Sequence, residues 1–429
     1  MNRFSRYRLV PSLLGLLLVL RCTSAIAEIE LPQGAHICIV GNTLADRMQH
    51  DGYLEATLQH DFPTHQLVIR NLGFSGDELT LRLRSAGFGS PDEHLTAQQA
   101  DVVFTFFGYN ESFAGTAGLD AFRQSLREYL QHLQSTNFNG ANPPQVVVVS
   151  PIAHEDLQSP DLPDGTVNNA RLEAYVAAMR EVADQLQVPF VDLFHATQAL
   201  YQSSEPLTIN GVHLNEAGNR HVARAIQHSL WPDKAEIDWS DARAAALRRA
   251  VQEKNFYWFN RYRTTDGYSI FGGRADLAFV DGQTNRVVMD REMEVLDALT
   301  AQRDQAIWAA AQGREYTPDD NATPDFIPVE TNKRGDGPNG EHLFLSGEAA
   351  IEKMTVADHM QVQLFASEEQ FPELINPVQM AFDTRGRLWV TAWESYPHWK
   401  PKEEMNDKLL ILEDTDGDGR ADQCKAFAT

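Results

Sequence analysis

Cysteine is scarce in this chain of 429 residues, which contains only three. Cys38 and Cys424 are separated by most of the sequence, and Cys22 lies in an N-terminal apolar stretch. Because a disulfide framework needs several pairs at close spacing, this distribution argues against one. Cys38 lies within the apolar run 36–40, and we expect it to be a core residue of a strand.

Basic residues are also in short supply. The chain has 36 Lys and Arg residues against 60 Asp and Glu residues, which gives a formal net charge of −24 at pH 7. Such a surface repels nucleic acids and anionic membranes. We therefore expect no nucleic-acid partner, whereas neutral substrates and divalent cations are compatible with this charge.

Long apolar runs are absent from the sequence except at the N-terminus. Arginines there precede the apolar residues 13–20, and an Ala-Ile-Ala sequence ends at Ala27. These are the regions of an export signal, and the apolar run is too short for a permanent membrane span. We predict that residues 1–27 are a signal peptide and that the mature protein has no stable membrane span. Its expected location is periplasmic or extracellular, and a retained N-terminal anchor is the alternative.

After the N-terminus, short apolar runs alternate with longer amphipathic ones. The short runs are residues 37–40, 67–70, 102–107, 146–150 and 189–193. Runs that are apolar throughout are typical of parallel strands covered on both faces. The pattern predicts a doubly wound α/β domain with a parallel five-stranded sheet in residues 28–230. Its ligand site should lie beyond the carboxyl ends of the strands.

Three further segments follow this domain. Residues 231–312 combine helix patterns with an aromatic- and arginine-rich stretch at 256–263, and we expect a helical appendage packed on the first domain. A sugar-binding platform is the alternative for that stretch. Residues 313–343 are rich in Asp, Asn, Pro and Gly and are predicted to be a linker. Residues 344–429 show strand and turn patterns, which predict a partial β domain.

Four short blocks lie at the expected functional edge of the first domain. They are Gly-Asn-Thr-Leu-Ala-Asp at 41–46, Asn-Leu-Gly-Phe-Ser-Gly-Asp at 71–77, Gly-Tyr-Asn-Glu at 108–111 and Asn-Gly-Val-His-Leu-Asn at 210–215. In order and spacing they resemble the blocks of the SGNH (GDSL) hydrolases, over roughly residues 36–230. The resemblance implies an SGNH, flavodoxin-like fold and hydrolysis of small acyl esters or acylated carbohydrates. It implies no cofactor for this domain.

The same resemblance implies roles for individual residues. Thr43 stands in the place of the family's serine nucleophile, His213 matches the base, and Asn210 stands where the family has an aspartate. The oxyanion hole would combine the N–H groups of Thr43 and Gly73 with the side chain of Asn110. Two catalytic positions therefore depart from the family's pattern. Threonine adds a methyl group, and asparagine cannot stabilise an imidazolium by charge.

These departures leave two functions open. The domain is either an ester hydrolase with a substituted nucleophile and triad acid, or a non-catalytic module that binds a ligand or carbohydrate. In the first case, Glu111 or Asp46 could supply a carboxylate to His213. In the second case, the module would be an accessory to a larger propeller-containing oxidoreductase.

The C-terminal residues carry a second chemical motif. It consists of four aspartates with intervening glycines: Asp414, Asp416, Asp418 and Asp422. Oxygen ligands at this spacing suit a hard cation and match the first half of an EF-hand-type loop. Lys425 stands at the twelfth position, where a bidentate glutamate is usual. We therefore predict a weak Ca²⁺ site or one completed by other residues, with a solvated acidic turn as the alternative.

The segment before this motif also has a family resemblance. Residues 382–390 resemble the first blade of propeller domains in large exported dehydrogenase-like proteins of Planctomycetes. Residues 344–429 are too few to close a propeller. We therefore expect a truncated or split gene product and predict no dehydrogenase activity for this segment.

Overall fold

The computed structural model describes residues 29–429 except 204, 265, 281, 330–333 and 397. The predicted signal peptide at residues 1–27 lies outside the described residues. In the part that is described, no helix is both long and apolar enough to cross a membrane. The described chain comprises an α/β domain, a helical layer beside it and a C-terminal β-sheet.

Five parallel strands form the central sheet. They are β1 (His36–Gly41), β2 (Val68–Asn71), β3 (Val102–Phe106), β4 (Gln145–Val149) and β5 (Phe190–Val191). Their order in the sheet is β2-β1-β3-β4-β5, and every neighbouring pair is parallel. This topology confirms the predicted doubly wound sheet. The order reverses between β1 and β3, which is where a ligand site is expected in such folds.

Helices cover both faces of the sheet. Those of the first domain are α1 (Thr43–Asp51), α2 (Tyr53–Asp61), α3 (Pro91–Ala97), α4 (Gly115–Ser135), α5 (Thr166–Leu186), α6 (Leu193–Leu200) and α7 (Glu216–Leu230). Alternate residues of β1 enter different cores: Ile37 and Ile39 pack on one face, and Cys38 and Val40 on the other. Burial raises the pKa of the Cys38 thiol to about 12, so this cysteine is a core residue, as expected.

Residues 231–312 form a helical layer against the first domain. The layer contains α8 (Ala242–Tyr262), α9 (Gly267–Phe271), the hairpin β6 (Ala278–Val280) and β7 (Gln283–Thr284), and α10 (Asn285–Ala311). Trp258 and Tyr262 of α8 are buried in the same core as Val40, and Trp258 Nε1 donates to the carbonyl of Asn71 at 2.7 Å. These contacts support the expectation that the aromatic stretch is a packing surface.

Two buried ion pairs join the helical layer to the first domain. Lys254 Nζ on α8 lies 2.7 Å from Glu55 Oε2 on α2, and the lysine side chain is fully buried. Arg70 on β2 lies 2.5 Å from Asp304 Oδ2 on α10. Removing one partner would leave a buried charge uncompensated, which is costly. The helical layer is therefore an integral part of the folded domain.

Residues 344–429 contain a short helix and an antiparallel sheet. The elements are α11 (Gly347–Glu352), β8 (Pro377–Phe382), β9 (Leu388–Ala392), β10 (Lys408–Glu413) and β11 (Gln423–Ala428), and the sheet order is β11-β10-β9-β8. The sequence predicts the first three strands, and the structure adds β11 after the acidic loop. His398 Nε2 lies 3.0 Å from Glu292 Oε2 on α10, so this segment contacts the helical layer.

Candidate functional site

A pocket of about 320 Å³ opens beyond the carboxyl ends of β1, β3 and β4. Its walls consist of residues that follow these strands and of the loop before α7. Thr43, Asn110, Asn210 and His213 all line it. The fold therefore brings together four of the predicted site residues at the edge where parallel sheets bind ligands.

A close approach of two strands positions Thr43. Gly41 has a φ of 149°, and a Cβ at this position would collide with the backbone of Phe106 in β3. The N–H of Asn42 donates to the Phe106 carbonyl at 3.0 Å, and the Asn42 side chain caps α1 by accepting from the N–H of Leu44 at 3.2 Å. The Thr43 N–H has no acceptor among the described residues. At a helix N-terminus it is suited to stabilise negative charge.

A buried carboxylate anchors the loop before α7. The Glu155 carboxylate accepts hydrogen bonds from the N–H groups of Leu207 and Thr208 and from the Thr208 hydroxyl at 2.6 Å. Thr208 also forms an antiparallel bridge with Leu214. The Thr208–Leu214 bridge therefore joins the two ends of the loop, and His213 is the last loop residue before Leu214.

Asn210 determines which nitrogen of His213 carries a proton. Asn210 Oδ1 accepts from the N–H groups of Val212 at 3.3 Å and His213 at 3.0 Å, and it lies 3.1 Å from His213 Nδ1. Because two backbone donors require an oxygen at this position, the facing ring nitrogen must be Nδ1–H. In the neutral ring, Nε2 is then unprotonated and can accept a proton.

The electrostatic environment of His213 favours its neutral form. Partial burial is the larger cause of its lowered pKa, and the positive charge of Arg47 is the second. A neutral imidazole is available as a base, but its protonated form has no countercharge in Asn210. No hydrogen bond joins the Thr43 hydroxyl to His213 in the described part of the chain, although both side chains line the pocket.

The second block favours a different oxyanion donor from the predicted Gly73. The Gly73 N–H donates to Asn71 Oδ1 at 2.8 Å, and Gly73 does not line the pocket. The N–H of Gly76 has no acceptor among the described residues. Asn110 Nδ2 donates to the Asp77 carbonyl at 3.2 Å, which joins the Asn110 amide to the loop that contains Gly76. Neither glycine lines the pocket, and Gly76 is the better candidate of the two only because the Gly73 amide is already engaged.

Neither Asp46 nor Glu111 supplies a carboxylate to His213. Asp46 Oδ2 accepts from the Ser75 N–H at 3.0 Å and from its hydroxyl at 2.6 Å, and it pairs with Arg263 at 2.6 Å. The Glu111 carboxylate accepts from two backbone N–H groups at 2.9 and 2.8 Å, and burial raises its pKa. Both carboxylates instead hold neighbouring loops in place, so the structure does not support the alternative in which one of them completes a triad.

Residues 41–221 match the family described as GDSL-like lipases/acylhydrolases. This part of the chain is a GDSL-like lipase/acylhydrolase domain. At the level of the family it is an ester hydrolase domain. Residues 346–429 match a domain of unknown function (DUF7133), so the propeller resemblance of this segment stays a prediction.

Several solved structures resemble the GDSL-like domain. LAE5, an alpha/beta hydrolase enzyme from the metagenome of Lake Arreo, Spain, has 18% identity, a TM-score of 0.36, and coverage of 48% of this chain and 98% of that chain. A catalytic mutant of Axe2, an acetylxylan esterase from Geobacillus stearothermophilus, has 18% identity, a TM-score of 0.38, and coverage of 49% of this chain and 98% of that chain. BT4096, a gut microbial diltiazem-metabolizing enzyme, has 17% identity, a TM-score of 0.37, and coverage of 47% of this chain and 48% of that chain. No curated protein matches the chain.

The site of the GDSL-like domain includes residues that the sequence analysis does not single out. Arg47 lies one helical turn after Thr43 and lines the same pocket. Its i,i+4 spacing from Thr43 is the signal that could have located it. Arg263, at the end of α8, lies outside the family match and contacts Asp46. No local pattern predicts that contact, because it joins segments far apart in sequence.

Outside the GDSL-like domain, the acidic loop gathers three of the four predicted calcium ligands. One carboxylate oxygen from each of Asp414, Asp416 and Asp422 lies within 4.8 Å of the others. Asp418 is not part of that group. Lys425 lies in β11 and offers no carboxylate. Calcium binding therefore stays a prediction, with three candidate ligands in place of four.

Proposed function

We propose that the GDSL-like domain is an esterase with Thr43 as nucleophile and His213 as base, acting on small acyl esters or acylated carbohydrates. The observation that carries the proposal is the 3.1 Å contact between His213 Nδ1 and Asn210 Oδ1, in the pocket that also contains Thr43. This contact leaves Nε2 of a neutral ring able to accept a proton. Asn210 thus keeps the orienting part of the role that an aspartate has in such triads.

The proposed reaction proceeds through an acyl-enzyme. Thr43 Oγ1 forms a bond to the ester carbonyl carbon while its proton passes to His213 Nε2. The negative charge on the carbonyl oxygen is stabilised by the Thr43 N–H, the Asn110 side chain and the Gly76 N–H. The carbon–oxygen bond to the alcohol then breaks, and the alcohol takes the proton from His213. Water then attacks the acyl carbon while one of its protons passes to His213 Nε2. The bond from the acyl carbon to Thr43 Oγ1 breaks, Oγ1 takes the proton from His213, and the acid product leaves.

We expect turnover to be slow. The methyl group of Thr43 restricts its side-chain rotamers, which limits the directions from which the hydroxyl attacks. Replacing the triad aspartate of a serine protease by asparagine costs about 10⁴-fold in turnover, although that loss includes a change of histidine tautomer. Here the Nδ1–H tautomer is retained, so the expected loss is smaller.

A non-catalytic binding module is the alternative function. The specific observation that favours it is the lack of a hydrogen bond between the Thr43 hydroxyl and His213 in the described chain, together with the neutral Asn210. Such a module would retain the pocket and its oxyanion donors for recognition of a carbonyl group without cleaving it.

Hydrolysis of 4-nitrophenyl acetate by the purified chain tests the esterase proposal. The variants are His213→Ala and Thr43→Ala, and the matched control is His195→Ala, an exposed histidine that also pairs with a side chain, Asp192, at 2.8 Å. We expect hydrolysis above the spontaneous rate in the wild type and the control. Each site variant should lose about 100-fold or more, as is usual for a nucleophile or general base.

The outcomes separate the two functions. Equal rates in the wild type and in His213→Ala would contradict the esterase proposal. If all forms are inert but the double variant Thr43→Ser with Asn210→Asp gains activity, the pocket is sound and the natural protein is a binding module.

We also propose that the protein is exported, an inference that residues 1–27 support by themselves. Expression of the full chain in a bacterial host, followed by cell fractionation and N-terminal sequencing, tests it. We expect a periplasmic or secreted product that begins at Glu28, and a cytoplasmic product when residues 1–27 are deleted. A full chain that stays unprocessed in the cytoplasm would contradict export.

A further inference from the structure

The charge of the pocket differs in sign from the charge of the whole chain. Acidic residues outnumber basic ones by 60 to 36 in the sequence. The described residues that line the pocket nevertheless include no Asp or Glu, and Arg47 is the one lining residue with a permanent charge. The pocket lining is therefore positive, whereas the chain as a whole is negative.

Arg47 is free to bind a ligand. It lies on α1 one turn after Thr43, so the two residues share a face of the helix. Its side chain is exposed, and the described part of the chain gives it no ion pair or hydrogen bond. The acidic residues of α1 are engaged elsewhere: Asp46 in its contacts with Ser75 and Arg263, and Asp51 with Asn219 Nδ2 at 2.5 Å.

The chemistry of a guanidinium narrows the class of ligand. Its planar fork of N–H donors matches a carboxylate or phosphate with two parallel hydrogen bonds. The neighbouring pocket wall includes the apolar side chains of Phe106, Val212 and Leu214, which reduce screening by solvent. The positive charge of Arg47 also interacts with His213, the proposed base, and contributes to its lowered pKa.

We propose that the pocket selects esters that carry a carboxylate or a comparable anionic group, and that Arg47 binds this group. The inference rests on the proposed esterase function and adds a substrate class to it. The anionic group lies either on the acyl side, as in a half-ester of a dicarboxylic acid, or on the alcohol side, as in an acylated uronic acid. It goes beyond the expectation from composition, with which neutral substrates are compatible.

Two pairs of aryl esters test the proposal and distinguish the two sides. Mono-4-nitrophenyl glutarate and 4-nitrophenyl valerate differ by an acyl-side carboxylate, and 4-acetoxybenzoate and phenyl acetate differ by an alcohol-side carboxylate. The ratio of kcat/KM for the anionic ester to that for the neutral ester is measured in the wild type, in Arg47→Gln and in Arg220→Gln. Arg220 is an exposed residue of α7 that has no ion pair with any described residue and does not line this pocket, so its replacement removes the same charge without altering the pocket.

We expect Arg47→Gln to lower the anionic-to-neutral ratio by about 10-fold or more in one of the pairs, because a hydrogen-bonded charged partner is lost. Arg220→Gln should leave the ratio at the wild-type value. The pair that responds identifies the side of the ester that Arg47 binds. A ratio that is the same in the wild type and Arg47→Gln for both pairs would overturn the proposal.

If the wild type hydrolyses none of these esters, the proposed esterase function is wrong. Anion recognition by Arg47 is then tested separately by measuring ligand binding. Calorimetric titration then compares the affinities of the uncleaved glutarate and valerate esters. Tighter binding of the glutarate ester that weakens about 10-fold or more in Arg47→Gln supports anion recognition. Equal affinities for the two esters, or no binding of either, would overturn it.

Discussion

Replacing Asn210 by aspartate should raise the rate of ester hydrolysis by restoring a negative charge beside His213. Asn210 Oδ1 lies 3.1 Å from His213 Nδ1 and accepts from two backbone N–H groups, so an aspartate fits the same position. A unit charge at this distance stabilises an imidazolium by about 5 kcal/mol at an effective dielectric constant of about 20. Because the pair is partly exposed, screening reduces this to roughly 2–3 kcal/mol. The expected gain in kcat is therefore about 30- to 150-fold.

The same substitution should change the pH dependence in a defined direction. In the wild type, burial and Arg47 lower the pKa of His213 below its ordinary value of 6.5, so the ring is a neutral base at and above that pH. A carboxylate at position 210 favours the imidazolium and therefore raises the pKa of His213. The acid limb of kcat/KM should move to higher pH, while the plateau above the limb rises. Hydrolysis of 4-nitrophenyl acetate between about pH 5 and pH 9 measures both effects.

The matched control is Asn142→Asp, which changes the net charge equally at an exposed loop position. It should alter neither the plateau nor the acid limb. A second variant, Asn210→Leu, removes the acceptor for His213 Nδ1 and should reduce the plateau. If Asn210→Asp leaves both the plateau and the limb at their wild-type values, the assignment of His213 as a base oriented by residue 210 is refuted.

Three other predictions concern the loop, the helical layer and the acidic motif. Gly211→Ala should reduce kcat about 10-fold or more, because Gly211 has a φ of 86° and an added Cβ would lie 2.5 Å from His154 Nε2. Gly140→Ala controls for backbone strain alone, because Gly140 has a φ of 77° and an added Cβ would meet nothing within 4 Å. Lys254→Met should lower the free energy of unfolding by about 3–5 kcal/mol near neutral pH, measured with urea. The loss should shrink at acid pH, because burial raises the pKa of Glu55 and protonation removes its uncompensated charge; equal losses at both pH values would contradict this. Ca²⁺ should raise the Tm by a few degrees relative to EDTA, and less so in Asp416→Asn; a Tm unaffected by Ca²⁺ contradicts the calcium prediction.

The α/β domain could be predicted from the sequence because its signals are local. The run 102–107 is apolar except for Thr105 and contains β3, which is fully buried since helices cover both faces of the sheet. The segment 285–312 has a long helix pattern and becomes α10. The run 189–193 becomes a strand of only two residues, β5, because the chain enters α6 directly after it. Lengths of edge strands depend on such neighbours and are poorly predicted from composition.

The residues that carry the proposed chemistry were partly predictable for a related reason. Thr43 and Asn110 lie shortly after the ends of β1 and β3, and parallel strands bring their carboxyl ends to one edge. The choice between Gly73 and Gly76 was not predictable, because it depends on the side chain of Asn71, which accepts a hydrogen bond from the Gly73 N–H. The second block contains both glycines at suitable positions, so its sequence does not distinguish them.

The sequence by itself determined the element types, the parallel sheet and the edge at which the site lies, because these depend on short-range periodicity and chain direction. The tertiary structure decided which polar groups are engaged and which are free. Asp46 is bound by Ser75 and Arg263, whereas Arg47, the next residue, has no partner in the described chain and faces the pocket. Adjacent side chains on a helix point in different directions, and their partners come from segments distant in sequence. Only the packed fold therefore shows that the site of this acidic protein is positively charged.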